Sequence, residues 1–161
     1  MTRGARVAIV RARWNEDVTL ALEGGAVERA GRAGASVDLY EVAGSYELTA
    51  AVAMLADTGR YDAIVPLGCL IRGETAHFDV LAHAVARGLI ELSAMYPVAI
   101  PFGVLTCETA DQAKARAGGS EGNLGADAMD AALEMVALRQ AVSSRAARSR
   151  PRARARSRST R

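Results

Sequence analysis

Cysteine, histidine and aromatic residues are scarce in this chain of 161 residues, which has two cysteines, two histidines, one tryptophan, four tyrosines and two phenylalanines. Cys69 and Cys107 both follow apolar runs and are expected to be small buried hydrophobic residues. A disulfide between them has no support without a secretion signal. His77 and His83 are six residues apart, on different faces of a helix, so no metal-site spacing is present.

Long hydrophobic runs are missing as well, since every uninterrupted apolar stretch has fewer than ten residues. A membrane-spanning helix needs about 20. The start of the chain, "MTRGARVAIVRARW", has an apolar run too short for a signal peptide and is flanked by arginines. We therefore expect a cytoplasmic protein without a membrane segment.

Acidic residues are absent from the end of the chain. Residues 1–144 carry all 18 acidic residues and 12 basic ones, a net charge of −6, whereas 145–161 carry eight arginines and no acid. The composition of 145–161, rich in Arg, Ser, Ala and Pro, cannot bury apolar surface. We therefore expect a folded domain over 1–144 and a disordered Arg-rich tail over 145–161.

Short β-branched runs alternate with segments of helical spacing along the domain. Asn15 and Ser45 are expected to cap the first two helices, and Gly34 to end the first. Alternating strands and helices predict an α/β domain whose parallel sheet is covered on both faces, with ligands bound beyond the carboxyl ends of the strands. Strands are expected at 6–12, 36–42, 61–69 and 97–106, and helices at 14–34, 45–60, 76–96, around 110–117 and at 126–143.

Polar residues crowd together directly after the third strand, in "LGCLIRGETAHFD" (67–79). Gly73 allows close approach of a ligand, Thr75 offers a hydroxyl, and the helix that follows presents unpaired N–H groups to an anion. His77 either lies in solvent at the helix start or carries protons, a role for which the ordinary histidine pKa of roughly 6.5 is suited. The combination fits a phosphate site.

Several of the few aromatic residues fall near the expected ligand edge. Trp14 and Tyr46 follow strand ends, and Phe102 lies within or near another strand. They either cover the core or form a stacking surface for a flat ring. Arg116, before a Gly-rich turn, is either a helix C-terminal charge or a phosphate ligand, and Asp127 is expected to interact with a helix dipole.

Together these segments resemble the lumazine synthase family over roughly residues 5 to 140. The resemblance rests on "RARWNE" (11–16), "VAGSYEL" (42–48), "LGCLIRGETAHFD", "PFGVLT" (101–106) and "ARAGGSEGNLGADAMDAALEM" (115–135). It implies a flavodoxin-like three-layer sandwich with a four-stranded parallel sheet. It also implies condensation of 5-amino-6-(D-ribitylamino)uracil with 3,4-dihydroxy-2-butanone 4-phosphate to 6,7-dimethyl-8-ribityllumazine in riboflavin biosynthesis, with neither metal nor organic cofactor.

The resemblance also implies roles for individual residues. Matching residues bind the pyrimidine and its ribityl chain, bind the phosphate, transfer protons, or come from the neighbouring subunit to close the ring pocket and grip the phosphate. The pyrimidine and ribityl chain are bound by Trp14, Ser45, Tyr46, Glu47, Cys69, Leu70 and Ile71, and the phosphate by Glu74 and Thr75. His77 transfers protons, and Phe102 and Arg116 come from the neighbouring subunit.

Three departures from the family pattern stand out. Ala76 replaces a frequent proline between Thr75 and His77, and Leu124 replaces a lysine that reaches toward the substrates in "GNKG". Many relatives also have an N-terminal strand that joins a neighbour's sheet; because this chain begins almost at "RVAIV", we expect that strand to be missing.

The resemblance implies an oligomer of pentamers, either one pentamer, a pair, or a sixty-subunit shell, and an association with riboflavin synthase. The short turn "GGSEGN" favours a shell and the missing strand disfavours it. Tails pointing into a shell would make its lumen basic enough to hold nucleic acid or acidic protein; otherwise the tail is an extension without function.

Three other functions are compatible with parts of the sequence. The leucine at position 124 favours a catalytically weak or inactive member of the family that forms shells or binds ligands. A flavodoxin-type flavin binder needs a phosphate loop after the first strand, but "RARWNED" has no glycine and no Ser/Thr run. The tail alone suggests a nucleic-acid-binding protein, although the acidic domain argues against binding by the folded part.

Overall fold

The computed structural model describes residues 4–149. Four parallel strands and five helices alternate along these residues, with one short two-stranded ribbon before the last helix. Their bounds are β1 Arg6–Ala12, α1 Glu16–Arg32, β2 Ser36–Val42, α2 Ser45–Asp57, β3 Ala63–Ile71, α3 His77–Met95, β4 Gly103–Cys107, α4 Ala110–Ala115, β5 Ala117–Gly119, β6 Gly122–Asn123 and α5 Leu124–Ser149.

The four long strands form one sheet in the order β2-β1-β3-β4, and every neighbouring pair is parallel. Alternate residues of β1 enter two separate cores: Val7 and Ile9 pack with α1 and α5, whereas Ala8 and Val10 pack with α2 and α3. Helices therefore cover both faces, as buried parallel sheets require. This is the flavodoxin-like three-layer sandwich, and the predicted fold class is confirmed.

The prediction of a strand over 97–106 was too long, because β4 begins only at Gly103. Residues 97–102 contain Pro97 and Pro101, which have no backbone N–H for a sheet ladder. Before Gly103 the segment contributes a single parallel bridge between Ala99 and Ala63.

The predicted caps of the first two helices need correction. Asn15 occupies the N-cap position of α1 in the left-handed conformation, with φ of 57°, and its side chain makes no cap hydrogen bond. Ser45 is the first residue of α2 rather than its cap, and Gly44 is the N-cap. Gly34, at φ of +68°, follows α1 in the left-handed conformation typical of helix ends, as expected.

The last helix is longer than the sequence predicted. Helix α5 runs over Leu124–Ser149, so the first five residues of the expected tail continue the helix. The rest of that tail, residues 150–161, lies outside the described residues, and the prediction of disorder there stays a prediction. Within 4–149, no helix is both long and apolar enough to cross a membrane.

Candidate active site

A cavity of about 510 Å³ opens at the carboxyl ends of β1 and β3, between the starts of α2 and α3. This edge is where parallel α/β sheets bind ligands. Nine of the twelve residues selected from the sequence line it: Trp14, Ser45, Tyr46, Glu47, Cys69, Leu70, Ile71, Thr75 and His77. Glu74 lies in the same loop, exposed, but does not line the cavity.

Trp14 lies in the turn between β1 and α1, and its side chain is 72% exposed. Its backbone N–H donates to Ala43 O at 3.1 Å, so the turn is attached to the chain that follows β2. The Nδ2 of Asn15 donates to Cys69 O at 2.9 Å, which joins the same turn to the end of β3. The backbone of Trp14 is thus fixed while its ring stays open to a ligand.

The start of α2 forms the wall next to Trp14, since a Cβ at Gly44 would lie 4.0 Å from the indole ring. One carboxylate oxygen of Glu47 accepts from the Gly44 N–H at 2.9 Å and so caps the helix. Ser45 is buried against β3 at Gly68, where an added Cβ would lie 2.5 Å from the Ser45 hydroxyl oxygen. The second oxygen of Glu47 remains able to accept from a bound hydroxyl.

The loop between β3 and α3 is held at both ends by Arg72. Its guanidinium donates to both carboxylate oxygens of Asp79, at 2.8 and 3.0 Å, and to Glu108 at 2.6 Å. It also lies over the Phe78 ring, 4.4 Å from the centroid. The hydrogen bonds from Arg72 lower the pKa of Asp79. Arg72 therefore fixes the span of the loop that carries Thr75 and His77.

The first turn of α3 provides groups suited to an anion and to proton transfer. Thr75 Oγ1 accepts from the backbone N–H of His77 at 3.3 Å. The ring of His77 is exposed and has no hydrogen bond to any of residues 4–149. Both ring nitrogens are therefore available to a bound molecule.

A second hollow, of about 900 Å³, lies along β4 and α4 and shares no lining residue with the first. Phe102 and Arg116 both line it, together with Leu124 and Asp127. Arg116 is exposed and has no carboxylate within ion-pair distance in the part of the chain that the structure describes. A single chain thus keeps the two remaining selected residues away from the His77 cavity.

No group of three or more His, Cys, Asp or Glu side chains within residues 4–149 is arranged to hold a metal ion. The polar side chains that line the first cavity instead carry three hydroxyls, one amide, one indole N–H, one thiol, one carboxylate and one imidazole. Such a set suits an organic molecule with several hydroxyl and amide groups.

The sequence model of the 6,7-dimethyl-8-ribityllumazine synthase family matches residues 4–140, a stretch that contains both cavities. The chain belongs to the lumazine synthase family. The sequence is 46% identical to the 6,7-dimethyl-8-ribityllumazine synthase of Gemmatimonas aurantiaca over 138 residues, 84% of each chain. It is 44% identical to that of Sodalis glossinidius over 144 residues, 87% of this chain and 92% of the relative. The corresponding enzyme of Porphyromonas gingivalis is 41% identical over 138 residues, 84% of this chain and 86% of the relative.

The sequence did not predict every residue that forms the first cavity of this lumazine synthase family member. Val80 and Leu81 line the first cavity, three and four residues after His77, and helical periodicity could have identified both. The sequence predicts only a capping role for Asn15, whereas its side chain joins two walls of the cavity. No sequence signal indicates that bond, because it links residues 54 positions apart.

The thiol of Cys69 is expected to be unreactive in this family member. Burial raises the pKa of Cys69 to about 12, and burial also raises the pKa of Cys107, against the opposing charge of Arg116. Because the thiolate is the reactive form, iodoacetamide at pH 8 should modify the native cysteines at least about 100-fold more slowly than the urea-unfolded ones. Mass spectrometry of timed samples measures both rates, and equal rates would contradict the burial of these thiols.

Proposed function

We propose that the chain condenses 5-amino-6-(D-ribitylamino)uracil with 3,4-dihydroxy-2-butanone 4-phosphate to 6,7-dimethyl-8-ribityllumazine, releasing phosphate and water. The observation that carries this proposal is the family match over residues 4–140, which includes every candidate site residue. The first cavity, at the ligand edge of the sheet, supports it with walls that suit a flat ring bearing a polyhydroxyl chain.

The pyrimidine is assigned to the part of the cavity between Trp14 and the end of β3. The exposed indole ring stacks on the heterocycle, and Cys69, Leu70 and Ile71 offer backbone groups to its polar edge. Tyr46 and Glu47 lie on the α2 side, where the ribityl hydroxyls find acceptors. Ser45 is too buried to contact the ring extensively and instead shapes the wall next to Gly68.

The sugar phosphate is assigned to the loop before α3. Thr75 and the N-terminal N–H groups of α3 bind the phosphate, with Glu74 beside them on the exposed side of the loop. Arg116 of an adjacent copy adds a forked pair of donors, and Phe102 of that copy covers the ring. The separation of the two cavities within one chain supports a site formed between two copies.

The reaction follows from holding these two molecules together. The 5-amino group adds to the ketone and loses water to give an imine. A proton then leaves C3 of the sugar while the C4–O bond breaks and its electron pair departs with the phosphate; the resulting enol tautomerises to a ketone at C3. The ribitylamino nitrogen finally closes the second ring with loss of a second water. Binding saves association entropy, Arg116 stabilises the departing phosphate, and His77 carries protons between successive steps.

A homo-oligomer built from pentamers is the assembly that supplies such shared sites. Phe102, 44% exposed in the single chain, would then be covered by the neighbouring copy. A single pentamer, a pair of pentamers and a sixty-subunit shell are the alternative forms of this assembly, and an association with riboflavin synthase and a cytoplasmic location are further parts of the proposal. Native mass spectrometry of the purified particle distinguishes a pentamer, a decamer and a shell.

Anionic cargo is proposed for the arginines of 145–161. Arg145 and Arg148 are exposed at the end of α5, and the remaining six arginines lie outside the described residues. If the tails bind nucleic acid, the particle's ratio of absorbance at 260 and 280 nm should be high at low salt and fall after a high-salt wash. A particle free of nucleic acid at low salt would contradict packaging of nucleic acid.

The direct test of the proposed function is to incubate the purified chain with both substrates and follow lumazine fluorescence and phosphate release together. Release of one phosphate per lumazine supports the synthase. Binding of the pyrimidine without turnover would favour the inactive member instead. Leu124, which lines the second cavity, is then the residue to change, and Leu124→Lys should restore turnover.

His77→Asn should lower kcat about 10- to 100-fold without abolishing turnover, at or below the usual contribution of general acid–base catalysis, because holding the two substrates together does most of the work. Its matched control is His83→Asn, because His83 lies on the same helix with its Nδ1 2.7 Å from Asp79 O and outside the first cavity. The chain has only these two histidines. Equal losses in the two variants would contradict the role of His77.

A further inference from the structure

Arg11 is a buried charge that the proposed reaction does not use. It is the penultimate residue of β1 and is only 2% exposed. It does not line the first cavity. Burying a guanidinium is unfavourable unless its donors are paired, so the partners of Arg11 indicate what it holds in place.

The partners of Arg11 come from two different elements. On α1, Nε pairs with Glu23 at 3.2 Å, and Nη1 approaches Thr19 Oγ1 at 3.4 Å and Glu16 at 3.7 Å. On β2, Nη2 donates to Glu41. One guanidinium thus joins the first turns of α1 to the end of β2.

These two attachment points lie on either side of the turn that carries Trp14. On one side, Arg13 and Trp14 donate their backbone N–H groups to Val42 O and Ala43 O, at 2.9 and 3.1 Å, directly after Glu41. On the other side, the turn ends at Glu16, the first residue of α1. A change at Arg11 therefore removes its ion pairs on both sides of the Trp14 turn at once, so that the turn is held only by its backbone hydrogen bonds and by the bond from Asn15 to Cys69.

We propose that Arg11 is a positioning residue that holds the Trp14 ring in place for the pyrimidine. The inference rests on the proposed function, in which Trp14 stacks on that ring. Arg11 acts through the turn and touches neither substrate. Its loss should therefore weaken pyrimidine binding and leave the sugar-phosphate side, at Thr75 and the adjacent copy's Arg116, unchanged.

The test uses Trp14 as its own probe, because it is the single tryptophan of the chain. Titrating the oligomer with 5-amino-6-(D-ribitylamino)uracil alone should quench Trp14 emission and give a dissociation constant without turnover. The variants are Arg11→Met and the double variant Arg11→Met/Glu23→Gln, which leaves no unpaired carboxylate at position 23. The matched control is Arg6→Met, on the same strand at the far end of the sheet, where Arg6 approaches Asp38 at 3.8 Å.

Both Arg11 variants should shift the emission maximum of Trp14. They should also raise the dissociation constant about 3- to 10-fold, which is the change in affinity that corresponds to the loss of one aromatic stacking contact. They should raise KM for the pyrimidine similarly and leave KM for the sugar phosphate unchanged. Arg6→Met should change neither the emission maximum of Trp14 nor the dissociation constant and KM for the pyrimidine. Unaltered binding in the Arg11 variants, equal effects at Arg6, or failure of both Arg11 variants to fold would overturn the proposal. Wild-type emission that the pyrimidine does not change would instead contradict the proposed role of Trp14.

Discussion

Arg116→Met is expected to lower kcat/KM for the sugar phosphate about 100- to 10,000-fold, because the proposed site would lose two charge-assisted hydrogen bonds to the phosphate, each worth about 1.5–3 kcal/mol. Arg116 has no internal ion pair to lose within residues 4–149, so the folded chain itself should be as stable as the wild type. Steady-state kinetics with the sugar phosphate varied at saturating pyrimidine measures the effect.

Two control variants separate the phosphate contact from the general charge of this surface. Lys114→Met removes a cation from α4, the short helix that Arg116 follows as its C-cap, at a position that does not line the second cavity; it should leave kcat/KM within about twofold of the wild type. Arg116→Lys keeps the positive charge but loses the paired guanidinium donors. Its kcat/KM for the sugar phosphate should lie between those of the wild type and Arg116→Met. Similar losses at positions 114 and 116 would contradict a specific phosphate contact.

Gly125→Ala should destabilise the chain by about 3 kcal/mol or more, near the upper end for overpacked sites. A Cβ at this position in α5 would lie 2.0 Å from the backbone oxygen of Leu22 in α1. Because the atom it meets belongs to the backbone, no side-chain rotation relieves the clash, and the two helices have to move apart. Urea unfolding measures the loss as a shift of the midpoint at unchanged m-value.

The control for this substitution is Gly24→Ala in the middle of α1. A Cβ there meets nothing within 4 Å, and alanine favours a helix over glycine by roughly 0.5–1 kcal/mol. Gly24→Ala should therefore stabilise the chain. The same sign of change at both positions would contradict the close packing of α1 on α5.

Periodicity and composition were enough to predict the layered sheet and the main elements of the fold. The β-branched run at 6–12 and the polar stretch at 67–79 predicted β1 and the ligand edge, and both lie where expected. The expected strand over 97–106 failed at its two prolines, where the lack of N–H groups overrides a favourable apolar pattern. The predicted end of α5 was too early, because the Arg-, Ser- and Ala-rich composition after residue 144 indicates a disordered tail although residues 145–149 continue the helix.

The candidate site was less accessible to sequence reasoning than the fold. Residue types identified Trp14 and His77, but the bond from Asn15 to Cys69 and the ion pairs of Arg11 depend on tertiary contacts. Arg11 also interrupts an apolar strand pattern, where an arginine is ordinarily expected to face solvent. Local patterns carry no information about such long-range pairing.

Subunit mixing tests the shared site most directly. Trp14→Ala/His77→Ala disables the first cavity, and Arg116→Met disables the second, so each variant alone should be nearly inactive. Refolding the two together in equal amounts should place an intact first cavity beside an intact second one in about one quarter of sites and recover about that share of wild-type activity. Activity no greater than the mean of the two separate variants would contradict a site formed between neighbouring copies.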